Sequence, residues 1–265
     1  MQQSEGIDVQ LSSVRRPIHS ALLLVTMTSP AFVIAQQPAS PAAPATSPPP
    51  ASQNPSPMTE ETRAHERLVP RELGGTRRTF STPAAFYILL AAITRESSMA
   101  LGHEPHVNRV TLVGFSAGHG AIRAILREPR HFARVDAVLL LDGMHTSYVP
   151  EGTPVAAGGS LDPHNLSAFV DFAQAAMRGE KHFVVSHSEI FPGTFASTTE
   201  TADYLLHTLS LHRTPVLRWG PRDMQQLSEA IAGRFELLGF AGNSAPDHID
   251  QLHAMPELLD RVSRP

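Results

Sequence analysis

Ser116 has the most specific chemical setting in the chain. It sits at the centre of Gly114-Phe115-Ser116-Ala117-Gly118, a G-x-S-x-G pattern. Before it, Val110, Leu112 and Val113 form an apolar run long enough for a buried strand. After it, Ile122, Ile125 and Leu126 recur at helical spacing until Pro129 stops the pattern. Strand, sharp turn and helix in that order make a nucleophile elbow. The turn leaves no room for side chains beside the serine, hence Gly114 and Gly118. It projects the Ser116 hydroxyl at the helix N-terminus, and the Ala117 N–H points to where an oxyanion would form. Such a serine needs a base to take its proton and an acid to orient the base. The bland alternative is a glycine-rich turn in which Ser116 only caps the helix.

The elements that must hold this group follow a simple alternation. Upstream, Ser81 or Thr82 caps a helix with Pro83 in its first turn, and Phe86, Leu89, Leu90 and Ile93 share a face. Downstream, Val135–Leu141 reads as a strand covered on both faces. Asn165 caps a helix striped by Leu166, Phe169, Val170, Ala173 and Met177, and His182–Ser186 is the next strand. Ser197 and Glu200 make a capping box for a further helix. Asp223 to Ala232 reads as another helix ended by Gly233, and Arg234–Phe240 as the fourth strand. Gly242-Asn243 then turns the chain into a last helix through Leu252 and Leu259. The pattern predicts an α/β fold, a mostly parallel sheet flanked by helices, with chemistry at the strands' C-terminal ends. Right-handed crossovers put the four strands in chain order, with the elbow strand at one edge and the Thr82–Ala100 helix as its cover.

Composition sets the remaining bounds. The chain has 265 residues, 42% of them hydrophobic, enough for one sizeable core over residues 58–265. A formal net charge of −4 gives no reason to expect nucleic acid or an anionic membrane as partner. The absence of cysteine excludes disulfides, thiol catalysis and thiolate metal sites. Residues 1–35 read as a secretory signal: Arg15-Arg16, an apolar run from Ala21 to Val25, then Pro30 and Val33-Ile34-Ala35 before cleavage. The run is too short for a stable membrane span, so the expectation is an exported protein. Residues 36–57, rich in Pro, Ala and Ser, read as a disordered tether.

The elbow GFSAG, the strands after it and a histidine beyond the last strand resemble the α/β-hydrolase superfamily, from about Thr82 to the C-terminus. The resemblance implies a chain order of serine, acid, histidine. Carried onto this sequence, Ser116 is the nucleophile and Ala117 supplies an oxyanion N–H. His248, in Pro246-Asp247-His248-Ile249, is the base in the loop after the last strand, with His253 as rival. Asp142 is the acid, with Glu189 as alternative; Asp142-Gly143 is also a turn signal in its own right. The family keeps several strands before its elbow, one of whose loops donates a second oxyanion N–H. Here only about fifty residues separate tether and elbow, and Gly74-Gly75 lacks a preceding strand. A missing donor costs on the order of 3 kcal/mol in the transition state.

Two expectations follow. The first is a secreted serine hydrolase acting on a small-molecule or peptide ester or amide, without cofactor or metal. The second is a truncated, catalytically impaired relative that binds without turnover. His145, Tyr148 and Phe191 follow strand ends and could line a pocket. His103/His106 and His182/His187 are weak metal pairs that no carboxylate completes, and no P-loop or dinucleotide glycine motif is present.

Overall fold

The computed structural model describes residue 80, residues 82–105 and 107–263, and the backbone of residues 21–25. The expected cleavage point after Ala35, the tether, Gly74-Gly75 and His106 lie outside them. Strand β1 (Ala21–Val25) is followed by helix α1 (Ala85–Leu101), β2 (Val110–Phe115), α2 (His119–Leu126), α3 (Pro129–Arg134) and β3 (Ala137–Leu141). Next come a small hairpin of β4 (Tyr148–Val149) and β5 (Ser160–Leu161), then α4 (Ser167–Met177), β6 (His182–His187) and α5 (Thr198–Thr208). The chain ends with β7 (Thr214–Trp219), β8 (Gln225–Ala232), β9 (Phe235–Phe240), α6 (Ala245–His253) and α7 (Met255–Ser263).

The sheet has the spatial order β1-β2-β3-β6-β9-β8-β7. The four expected strands β2, β3, β6 and β9 run parallel and neighbour one another in chain order. Their side chains alternate between two cores, as a pleat covered on both faces requires. Val110, Leu112, Val138, Leu140, Phe183, Val185, Phe235 and Leu237 meet α2, α4 and α5 on one face. Val113, Phe115, Leu139, Leu141, Val184, Leu238 and Phe240 meet α7 on the other.

Three features differ from the sequence reading. The elbow strand is not at the edge: β1 lies parallel beyond it, Ala21 opposite Val110 and Val25 opposite Gly114. Helix α1 instead adds Phe86 to the first core, with Leu89, Leu90 and Ile93 packed against it. Secondly, the segment Asp223–Ala232 is not helix: Asp223 ends a 3-10 turn and Gln225–Ala232 is strand. Leu227, Ala230 and Ile231 have helical spacing, but the segment pairs antiparallel with β7 on one side and β9 on the other. Gly233, at φ 60°, makes the tight turn into β9, and a Cβ there would sit 2.3 Å from the Met177 carbonyl oxygen. Thirdly, two caps fail. Neither the α1 nor the α4 N-terminus has a side-chain cap, and Asn165 donates to Asp162 Oδ2 instead. The Ser197/Glu200 capping box is formed as expected.

Candidate active site

The elbow is built as its glycines require. Phe115 ends β2 in extended conformation, Ser116–Gly118 form a single 3-10 turn, and α2 follows directly. A Cβ on Gly114 would lie 2.7 Å from Ile122 of α2, so only glycine lets the helix fold back onto its strand. Ser116 has φ 51°, a left-handed conformation that costs a non-glycine residue about 1–3 kcal/mol. Asp142, at the end of β3, has φ 42°. The two strained residues are neighbours, because Gly143 packs against the serine: a Cβ there would lie 2.5 Å from the Ser116 carbonyl oxygen and 2.7 Å from its nitrogen. The Asp-Gly pair is therefore both a turn and a close approach of two backbones.

Asp142 is 2% exposed, and its carboxylate accepts four hydrogen bonds. Oδ1 takes the Ser188 N–H at 3.0 Å and the Thr198 hydroxyl at 2.7 Å. Oδ2 takes the Ser188 hydroxyl at 2.7 Å and His248 Nδ1 at 2.7 Å. Burial alone would push this carboxyl up; the His248 bond and charge, with the Ser188 and Thr198 donors, hold it well below the usual carboxylate range.

His248 reaches the acid from the first turn of α6, not from the loop the sequence suggested. Gly242 (φ 124°) lets the chain pass Asp247, whose Oδ2 accepts from the Ser244 N–H at 2.8 Å and the Ser244 hydroxyl at 2.5 Å. Pro246 occupies the first helical turn, where its missing N–H costs nothing. These caps start the helix where His248 faces the sheet. Its ring packs on Phe115, centroids 4.5 Å apart, one residue before the serine. Among the described residues no hydrogen bond joins Ser116 to His248. His253 ends the same helix, exposed, 3.9 Å from Asp250. Glu189 is also exposed, and its backbone N–H donates to the Gly242 carbonyl. Ala117 is half-buried in the elbow turn.

Four residues at this rim escaped the sequence reading: Ser188, Thr198, His145 in its present role, and His119. His119 Nδ1 donates to the Ser116 carbonyl at 2.9 Å, and its ring meets His145 edge-on at 5.4 Å. His145 Nδ1 donates to the Ala196 carbonyl at 3.1 Å, and burial pushes its pKa down. Of the other expected lining residues, Tyr148 is buried with its hydroxyl on Glu200, and Phe191 is exposed. His182 and His187 lie at opposite ends of β6, and among the described residues no three His, Asp or Glu side chains could hold a metal. Nor is any helix there long and apolar enough to cross a membrane. The sequence matches no protein-family model and no curated protein sequence.

Proposed function

We propose that this protein is a serine hydrolase that cleaves an ester or amide through an acyl-enzyme. The observation that carries the reading is the Asp142–His248 pair held beside a strained elbow serine. A neutral His248 with Nδ1 bonded to the carboxylate keeps its proton there, so Nε2 carries the lone pair a general base needs. Ser116 Oγ attacks the acyl carbon as Nε2 takes its proton. The Ala117 N–H receives the oxyanion, and the leaving group departs with the proton from Nε2. Water then repeats the sequence on the acyl-enzyme. Serine–histidine bonds are often long without substrate and tighten when it binds.

A fluorophosphonate probe should label the full chain at Ser116, and Ser116→Ala should abolish both label and turnover of a p-nitrophenyl ester panel. Label on another serine, or equal labelling of the variant, opposes the assignment. The unmade Ser116–His248 bond favours one second reading, a hydrolase-derived binding protein without turnover. That reading predicts no label and a flat ester panel.

Export is a separate proposal that rests on Arg15-Arg16 and the apolar run from Ala21. The same run supplies β1, so cleavage after Ala35 would strip the edge of β2. Intact mass of the protein from its native host tests this: a chain starting at Gln36 supports export, and one retaining residue 21 opposes cleavage.

A further inference from the structure

The Asp142 carboxylate is saturated. A carboxylate offers about four lone-pair sites, and here four donors fill them, two on each oxygen. Three of the four come from Ser188 and Thr198, both at most 2% exposed. We propose that Ser188 and Thr198 are positioning residues for His248, acting through Asp142: they fix the carboxylate plane and leave one site of Oδ2 for the imidazole. The inference rests on the hydrolase reading only for its consequence in turnover; the clamp itself is a matter of these four bonds.

The clamp is anchored from outside the site. The Ser188 carbonyl accepts the Thr199 hydroxyl at 2.9 Å and His187 Nδ1 at 3.0 Å. His187 Nε2 accepts Arg213 Nη1 at 2.8 Å, and Arg213 Nε donates to Asp203 at 2.8 Å. With an arginine donating to Nε2, the His187 proton is committed to Nδ1 and so to Ser188. Burial and the Arg213 charge hold His187 down to about 4, which keeps this tautomer neutral at pH 7. Gly239 belongs to the same device, since a Cβ there would lie 2.9 Å from His187 Nε2 and 2.5 Å from the Ser228 hydroxyl. The ionisable groups around His248 are Asp142 from β3, His145 from the loop after β3, Asp247 and Asp250 on its own helix, and His187 with Arg213 behind Ser188.

Each neutral donor withdraws charge from the carboxylate, so removing one strengthens the remaining bond to a protonated imidazole. Thr198→Val keeps the shape and loses one donor; Ser188→Ala loses one and keeps the backbone N–H. The test is the pH titration of the His248 ring by NMR in the full-length chain, alongside the acid limb of the activity profile. Each variant should raise the His248 pKa by about half a unit, roughly threefold in proton affinity. Thr198→Ser should restore it, and the acid limb should move by the same amount. A residue that only supported the fold would lower stability and leave this titration unmoved, and that result overturns the proposal. If the ring titration shifts as expected while no serine is labelled, the clamp stands and the hydrolase reading fails.

Discussion

The interior of the sheet and its β7 edge obey different rules. At the β2–β3–β6 side every strand residue is buried, the backbones touch, and two residues are held at positive φ. At the β7–β8 side the strands are antiparallel, β7 mostly in water and β8 half-buried, with Leu217 76% and Trp219 72% exposed. Positive φ is not itself the difference, because Arg222 and Asp223 in the turn between β7 and β8 also have it; the difference is that Ser116 and Asp142 are held by cores on both faces of the sheet. The β7 edge has no such support, and none of the residues at the candidate site comes from β7 or β8. The candidate site lies where packing leaves least freedom.

The largest test of that contrast is Asp142→Asn. On the proposed hydrolase reading, and by analogy with the acid of serine-protease triads, turnover should fall about 10⁴-fold through the wrong imidazole tautomer, with little change in the circular-dichroism spectrum. A loss under tenfold would remove Asp142 from the mechanism. Next in size is Leu140→Ala in β3, wholly buried. It should cost about 2–5 kcal/mol in urea unfolding.

A pH series gives an effect of intermediate size. His187 titrates near 4 in the fold against about 6.5 when unfolded, so the unfolded chain binds the extra proton between those values. Stability from this group is present above pH 6.5 and lost as pH falls towards 4, up to about 3 kcal/mol. The lowered Asp142 pKa acts later, its contribution fading only below about pH 4, the unfolded carboxylate value. Urea midpoints that stay level from pH 7 to 4 would contradict the buried neutral His187. The smallest effect is that of Leu217→Ala in β7, which should stay within about 0.5 kcal/mol; a loss like that of Leu140 would mean that β7 is covered in solution.

The same contrast explains what the sequence revealed. The parallel strands were legible because burial on both faces writes uninterrupted apolar runs such as Val135–Leu141. The elbow was legible because glycines must flank its serine. Strand β8 was misread because a half-exposed strand tolerates Gln, Ser and Glu, and its few apolar residues fell at helical spacing. Asp142 and His248 were reachable as candidate acid and base only through the chain order that the resemblance implies, while the hydroxyls of Ser188 and Thr198 left no local signal. Their partner lies 46 and 56 positions away, and small hydroxyl residues beside strand and helix ends are common. His248 falls in a loop on the sequence reading, which lacks the cap that Ser244 and Asp247 form at the start of α6.

The position of β9 between β6 and β8 has a consequence for the order of assembly. A growing chain that has reached His187 already contains the elbow, Asp142 and the strands that hold them. The Asp142–His248 bond closes a separation of 106 residues, and contacts so distant form late because loop entropy must be overcome first. Strands β8 and β9, joined by a tight turn, are suited to arrive as one hairpin that seals the open edge of β6 and carries α6 with it. Ser116 is thus set first, Asp142 second and His248 last, and a chain interrupted before β9 holds a strained serine with no His248 near it.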